Sequence, residues 1–367
     1  MRILVANIPL PANRFLVDLN ASLSHHVELV HDHEVFWKMQ GDFDVVHLHF
    51  PEYITYEIEN AYRESLNDNL IAAIEERLRY WSGRSTLVIT RHVLLPHNAR
   101  SDPRWETLYE LVYRYVDGVV HFDQPSIEEF EKRYANSAFV NGRPRHCVIP
   151  HHNYSSLPNE TTQAQARKAL GISAKAHVML VFGAIRNDEE CELIRITFDQ
   201  LKTSKKLLLV SRWREKLPQV SWVRLKYWLR DLTRFYYRLH PKYHFNYGFV
   251  EEKDTQNYLN AADVLFIPRL HVLNSGNITL GMTFGKVVVG PDSLDVGSLL
   301  QSTGNVVFDP NQPVTAAAAV EKAMKLAKQN ELGPANQRLA LSEWSADQCA
   351  KRYFNFFTEL NEAKIYT

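Results

Sequence analysis

The chain alternates, twice over, between apolar runs of strand length and amphipathic stretches of helix length. The first series of runs falls at residues 2–8, 25–30, 44–49 (DVVHLH), 86–90 (TLVIT), 118–122 and 147–149. Helical stretches at 58–80, 103–115 and 126–134 stand between them. Strands apolar along their whole length and separated by helices predict a mostly parallel sheet covered on both faces. The polar segment 151–176 interrupts the pattern and reads as a linker ending in a short helix near 165–170. A second alternation then runs through 177–182, 206–210, 245–249, 264–267, 287–289 and 305–308. A helix is expected over 314–328, and a last one over 342–363, where Trp344, Cys349, Tyr353, Phe356, Phe357 and Leu360 recur at helical spacing. The prediction is an α/β protein of two Rossmann-like, doubly wound domains, a number that suits 367 residues. The boundaries expected are an N-terminal domain over 1–155, a linker over 156–175, a C-terminal domain over 176–341 and a terminal helix over 342–367.

Composition narrows the partners. Lys plus Arg and Asp plus Glu number 42 each, so the formal charge is zero and a chain that coats nucleic acid as a polycation is excluded. No apolar run approaches the roughly 18 residues of a membrane span. The opening MRILVANIPLPANRF reads as a first strand, not as a cleaved signal. Cys147, Cys191 and Cys349 are too far apart for a CxxC pair or a disulfide framework, which fits a reducing, cytoplasmic setting.

Open parallel sheets bind ligands beyond the carboxyl ends of their strands. Two such domains facing each other would make the cleft between them the default site. The polar residues after each strand are therefore the candidates. In segment 260–292 (NAADVLFIPRLHVLNSGNITLGMTFGKVVVGPD) a strand leads to Asn274, Ser275, Gly276 and Asn277, then to a helix and another strand. Ser275 or Asn277 can cap that helix, Gly276 lets a ligand approach the backbone, and the free amides favour a phosphate. In Val181-Phe182-Gly183-Ala184-Ile185-Arg186, an Arg three residues past a Gly at a strand end suits a diphosphate. Ser211 and Arg212 follow the next strand.

These residues resemble a known family. Segment 249–292 is similar to the donor-binding half of GT-B glycosyltransferases, the glycogen-synthase and bacterial mannosyltransferase superfamily. The likeness rests on the order of an F-V strand end, L-x-x-A-D-V-x-x-x-P, a small-residue loop and a helix ending in the family's F-G-x-P-V-V, here FGKVVV. VFGAIRNDEECELI resembles that family's F-G-x-I-R stretch, and HLHFPEY and TRHVLLPHN resemble N-terminal segments of polysaccharide glycosyltransferases. WSADQCAKRYFNFF resembles the helix that crosses back to the N-terminal domain. The resemblance implies a nucleoside-diphosphate sugar, UDP- or GDP-linked, lying on the C-terminal domain as co-substrate, with no metal and no other cofactor. Gly183, Arg186, Ser211, Arg212, Phe249, Asn274, Ser275, Gly276 and Asn277 would bind that donor, with Arg186 on the diphosphate. The acceptor would be a glycan or lipid-linked glycan of bacterial surface polysaccharide synthesis. Two departures stand out. Glu189 lies where the family often has Lys, and Val272 and Leu280 lie where retaining members carry two Glu. They leave open a catalytically silent sugar-nucleotide or glycan-binding protein.

Twelve of the 16 histidines fall within residues 1–155. His47 and His49 share one strand face, an HxH pair that a metal hydrolase would use, with Glu52 just beyond. For a glycosyltransferase that inverts the anomeric centre, Glu52 or His92 is the candidate general base. Glu52, His92 and Arg186 are thus the catalytic candidates, and His49, Glu52 and His97 those for acceptor binding. A retaining enzyme needs no such base, and the stereochemistry is left open.

Residues 221–244 (SWVRLKYWLRDLTRFYYRLHPKYH) set six basic residues against Asp231 alone, beside an apolar stripe at helical spacing. Basic residues beside a Trp- and Tyr-rich apolar face suit an anionic membrane surface, giving a peripheral protein on the inner face of the membrane. Nucleic acid is not expected as a partner.

Overall fold

The computed structural model describes residues 1–61, 65–96, 102–214 and 223–365, with backbone only at 223–226 and 365. The chain divides into two compact units, Met1–His152 with Trp344–Thr367, and Asn153–Glu343.

The first unit begins with β1 (Arg2–Val5), α1 (Arg14–Leu23), β2 (Glu28–His31), α2 (His33–Trp37) and β3 (Val45–Leu48). A single 3₁₀ turn at Pro51–Tyr53 leads to α3 (Tyr56–Ala61), α4 (Asp68–Ser82) and β4 (Thr86–Thr90). Then come α5 (Arg104–Tyr115), β5 (Gly118–His121), α6 (Gln124–Arg133) and β6 (Arg145–Val148). The second unit runs α7 (Gln163–Ala169), β7 (His177–Val181), α8 (Asp188–Gln200), β8 (Lys206–Val210), α9 (Val223–Leu239), β9 (Tyr243–Phe245) and α10 (Glu252–Ala261). It continues with β10 (Val264–Phe266), α11 (Gly276–Thr283), β11 (Val287–Pro291), α12 (Leu294–Ser302), β12 (Val306–Phe308), α13 (Thr315–Gln329) and α14 (Leu332–Glu343). The terminal helix, α15 (Ala346–Ile365), belongs to the first unit.

Each unit holds one six-stranded sheet, ordered β2-β1-β3-β4-β5-β6 and β12-β11-β10-β7-β8-β9, with every pairing parallel. The α/β class with two Rossmann-like sheets is therefore as the alternation implies. In the first sheet the strand order reverses between β1 and β3, in the second between β7 and β10. At such a switch point two neighbouring chain ends leave in opposite directions and open a crevice.

Alternate strand residues feed opposite faces. In the first unit Leu4, Val46 and Ile89 pack with Trp81, Trp105 and Tyr109 of α4 and α5, while Ile3, Val45 and Val88 pack with α1 and α15. Gly118 is required by that second face. A Cβ there would stand 2.5 Å from Leu360 Cδ1 and 2.9 Å from the Phe356 ring, so α15 could not lie so close to β5. Lys364 of α15 also reaches Asp117 Oδ2 at 2.8 Å, and Tyr353 OH lies 3.1 Å from Thr90 Oγ1. In the second unit Met179, Leu208, Val264, Phe266 and Val289 pack against Ile194 and Phe198 of α8 and Val320 and Ala323 of α13.

Several elements are shorter than their patterns suggest, each with a local cause. The run 2–8 stops being a strand at Val5, because Asn7 turns its amide to the β3 exit, donating to Phe50 O at 2.7 Å. The helix expected over 58–80 is two helices, the second capped by Asn67, which accepts from Leu70 N at 2.9 Å. The strand expected at 245–249 ends at Phe245, where Asn246 donates to Ser211 O at 3.0 Å and to Gly248 O at 3.2 Å and bends the chain. The helix expected from 342 starts at Ala346, the preceding residues forming α14.

Candidate functional site

Both switch points are lined by residues the strand-end argument selects. In the second unit the chain leaves β7 through Gly183, at φ +90, a left-handed conformation that glycine adopts without strain. Its N–H donates to Ser211 Oγ at 2.8 Å, coupling the exits of β7 and β8. Asn277, in the first turn of α11, donates to Phe182 O at 2.8 Å and so couples the exit of β7 to the helix that follows β10. Asn277 is therefore not a cap.

Nor does Ser275 cap. It occupies the N-cap position of α11 without a side-chain bond to the helix, and its Oγ accepts from Arg269 Nη1 at 3.1 Å. The first-turn amides of α11 thus carry no side-chain cap, and a buried guanidinium stands beside them. Arg269 Nε lies 3.5 Å from Glu190 Oε1, and both side chains are almost wholly buried. Burial pulls the Arg269 pKa down, and Glu190 opposes that pull. The other oxygen of Glu190, Oε2, accepts from Arg186 N at 2.8 Å, and Arg214 donates to Arg186 O. Glu190 itself is placed by α8, whose N-cap Asn187 accepts from Glu190 N at 2.8 Å. Gly183, Arg186, Ser211, Ser275 and Asn277 thus form one connected cluster with Gly276 opening the helix. Asn274 is half-buried just before it. Arg212 and Phe249 are exposed.

The chemical character of the cluster is clear. Uncapped amides carry partial positive charge, the dipole of α11 adds to it, and guanidinium groups supply full charge in a partly desolvated place. Such a site favours an oxyanion. Sequence reading missed Arg269 and Glu190, while Arg214 stood with Ser211 and Arg212 at the strand end. Arg269 carried a signal, since it is the first charge after the wholly apolar run VLFIP at a strand end.

The first unit's switch point is different. Asn7, leaving β1, accepts from His49 N at 2.7 Å and fixes the exit of β3. His49 is fully buried, and its Nδ1 lies 3.0 Å from His92 Nε2 at the exit of β4, so one ring donates and the other accepts. His49 Nε2 is buried without a hydrogen-bond partner among the described residues. The partly exposed His92 stacks on Phe50 at 4.2 Å and meets Phe15 and Phe122 edge-on. Burial among these rings holds both histidines well below the usual imidazole range, with neighbouring histidines adding to the effect. His151 is pushed down to about 3 by burial, then by His152. These rings are neutral at physiological pH and offer hydrogen bonds without charge.

His47 lies on the same strand but makes no HxH chelate. Its Nε2 bonds Thr90 Oγ1 at 2.9 Å, and burial lowers its pKa to about 3. Among the described residues no three His, Cys, Asp or Glu side chains converge as metal ligands. Glu52 stands apart from the histidines. It is 4% exposed in the 3₁₀ turn and accepts from Tyr109 OH at 2.6 Å. Burial pushes its carboxyl up to about 7, and the Tyr109 bond offsets part of the rise. His97 lies outside the described residues.

No family model matches the sequence, and no curated protein matches it significantly. Solved structures do match. Sucrose-phosphate synthase from Thermosynechococcus elongatus superposes with a TM-score of 0.65 at 15% identity, over 99% of this chain and 99% of that one. HepE of Anabaena, in complex with UDP-glucose, gives 0.64 at 15% identity, over 98% of this chain and 100% of that one. The α,α-trehalose 6-phosphate synthase of Burkholderia multivorans gives 0.59 at 12% identity, over 98% and 78%. The chain has the GT-B fold of these proteins.

Proposed function

We propose that the protein is a glycosyltransferase that moves a sugar from a nucleoside-diphosphate donor to a glycan or lipid-linked glycan in bacterial surface polysaccharide synthesis. One observation carries the reading. At the switch point of the second sheet, an uncapped helix start, a buried Arg and the glycine-lined exit of β7 meet in one hydrogen-bonded cluster. That is the chemistry a pyrophosphate asks for. A neighbour of the same fold solved with UDP-glucose supports a UDP-linked donor, with GDP the alternative.

The chemistry follows from the charge that develops. As the glycosidic bond breaks, negative charge gathers on the departing diphosphate. In this reading Arg186, Arg269 and the amides of Gly276 and Asn277 offset it, with Glu190 and Arg214 holding the Arg186 main chain and Ser275 accepting from Arg269. The reading needs no metal, because cationic side chains and a helix end supply the positive charge. Ser211, Arg212, Asn274 and Phe249 complete the donor surface around base, ribose and sugar. The acceptor falls to the first unit, where His49 and His92 offer neutral donors and acceptors to sugar hydroxyls. For an inverting reaction His92 is the better base of the two candidates, because Glu52 is sealed against Tyr109.

Thermal shift against UDP-, GDP-, ADP- and CMP-linked compounds tests the donor class. A ligand at 100 times its Kd should stabilise the fold by about 2.7 kcal/mol. No shift with any of them, and no sugar released or transferred, would end the proposal.

A second reading rests on Val272 and Leu280. They are 7% and 5% exposed where retaining relatives are expected to carry carboxylates, and neither can bind a ribose hydroxyl. A catalytically silent sugar-nucleotide or glycan-binding protein would shift with nucleotide yet neither hydrolyse nor transfer the sugar.

A further inference from the structure

Helix α9 is held to its unit by one face. Tyr237 packs on Phe245 at 4.8 Å, on Tyr243 at 5.2 Å and on Trp213 at 6.4 Å. Arg234 lies over the Tyr247 ring at 4.7 Å, and Arg230 lines the cavity beneath the helix with Trp213, Tyr237 and Tyr247. At roughly 100° per residue, Trp228, Leu232, Phe235 and Leu239 fall on the opposite side from Tyr237, and Tyr236 flanks them. These five are 49–66% exposed, and an apolar face of this kind marks a surface that another molecule covers. Leu232, Phe235, Tyr236 and Leu239 also line an open groove of about 680 Å³.

The charges beside that face choose the occupant. Arg230 and Arg234 lie on the inward side, so neither meets what covers the outer face. Among the described side chains of the helix, Asp231 and Arg238 remain. Both are exposed, and both stand about 60–80° to the same side of the apolar face. One acid and one base cancel, so an anionic surface gains little there. A second copy can use both. Two helices related by a two-fold axis and laid antiparallel bring like edges together, whereas parallel helices bring unlike edges together. Asp231 and Arg238 are therefore complementary in an antiparallel pair, and their midpoint falls between Arg234 and Phe235. An axis there opposes Asp231 of each copy to Arg238 of the other. It also sets Phe235 on Phe235 and Leu232 on Leu239, within about one residue or 1.5 Å along the helix. Asp231 already accepts from Arg230 through Oδ1, at 2.9 and 2.8 Å, yet its side chain is 60% exposed, so a second guanidinium can reach it.

We propose that α9 pairs antiparallel with the α9 of a second copy of this chain, in a two-fold dimer centred on Phe235. The surface is separate from the donor cluster, and its test uses no nucleotide, so it stands or falls apart from the glycosyltransferase reading. A single helix face is a small interface, at or below about 1,200 Å² in total, so the association is weak.

Sedimentation equilibrium of the full-length protein decides it. The chain should be monomeric at about 1 µM and dimeric at about 100 µM. Phe235→Glu sets two carboxylates against each other at the axis and should weaken the dimer by at least about 100-fold. Asp231→Arg and Arg238→Asp should each weaken it by about tenfold, because either change makes both cross-copy pairs repulsive. The two together should restore most of the affinity. Melting temperatures of dilute protein should be unchanged throughout, because these side chains are already in water. The proposal is overturned if the wild-type chain is monomeric at about 100 µM, whether or not it floats with vesicles of phosphatidylglycerol, or if Phe235→Glu dimerises as the wild type does. A double charge swap no tighter than the single variants overturns it as well, since the antiparallel pairing requires the swap to restore binding.

Discussion

Arg269 donates to Ser275 Oγ across 3.1 Å and takes from α11 the one hydroxyl placed to cap it. The helix start is thereby left open, and the guanidinium is held in place by Glu190. Removing one partner of a buried ion pair strands the other, at a cost of about 3–5 kcal/mol. Arg269→Met should therefore lower stability in urea by roughly 3 kcal/mol. Adding Glu190→Gln in the same chain should restore most of it, since the stranded carboxylate is gone. Ser275→Ala should cost no more than about 1 kcal/mol, the value of one modest hydrogen bond. A double variant no more stable than Arg269→Met would show that Glu190 is not held by that pair.

Gly183 tests the exit of β7. Its φ of +90 lies in the left-handed region, while a Cβ there would meet only Asn277 Nδ2, at 3.8 Å. Space is available, so the cost of Gly183→Ala is backbone strain, roughly 1–2 kcal/mol. Relief of that strain would pull the Gly183 N–H from Ser211 Oγ. Denaturation should show the loss, and titration with UDP should show weaker binding. An alanine variant as stable as the wild type would mean that the loop does not need its glycine.

How much of this was legible beforehand follows physical lines. The strands at 86–90 and 206–210 stand where their apolar runs place them, because a strand buried on both faces writes its own pattern. Gly183 and Ser275 were legible from their place after such runs. Arg269 and Glu190 were not, because their pairing joins the exit of β10 to the start of α8, and no local pattern encodes a contact of that range. Glu52 was read as a candidate base open to the acceptor at a strand end. Tyr109, which seals it, lies 57 residues away on α5, where it looks like any helix aromatic. The stripe of α9 was legible from its helical spacing, and Trp228, Phe235 and Leu239 stand exposed along it.

Glu52 predicts a pH dependence with a definite sign. Its folded pKa, about 7, lies above the usual carboxyl value of 4.5, and burial is the main cause. The folded state therefore binds more protons than the unfolded state between those values, and stability falls as pH rises through that window. A shift of this size corresponds to roughly 3 kcal/mol. Glu52→Gln keeps an acceptor for Tyr109 OH and cannot ionise. The variant should match the wild type near pH 4.5 and be more stable by up to about that amount above pH 7, as read from urea midpoints. A gap that does not grow with pH would mean that Glu52 is ionised at little cost in the fold.

His47 and His151 predict the opposite slope at acid pH. Burial holds each at about 3, below the usual imidazole value of 6.5, and His49 and His92 are lowered with them. Here the unfolded state binds more protons, so stability falls as pH drops below 6.5 and continues to fall toward 3. At pH 5 each ring forgoes roughly 2 kcal/mol. The groups facing His47 and His49 are Thr90, Tyr353 and further rings, with Asn7 on the His49 main chain. His47→Gln, which can still meet Thr90, should flatten the fall between pH 6.5 and pH 5 by one such step. An acid limb unchanged in that variant would move the titrating group elsewhere.

Arg186 carries the kinetic prediction. Its backbone is held at the N–H by Glu190 and at the carbonyl by Arg214, so the loop should keep its course when the side chain is removed. Arg186→Ala should then leave the melting temperature within about a degree of the wild type, since changes at half-exposed positions are usually within about 0.5 kcal/mol. If the guanidinium stabilises the departing diphosphate, kcat should fall by about 10²–10³, as it does when a single preorganised donor is lost. The split between kcat and KM tells the roles apart. A charge met equally by bound donor and transition state would raise KM for the nucleotide sugar and spare kcat, whereas one met chiefly as the bond breaks would lower kcat. Arg186→Lys keeps the charge without the bidentate fork and should recover only part of the loss. Wild-type rates in the alanine variant would take Arg186 out of the reaction and leave Arg269 and the mouth of α11 to hold the diphosphate.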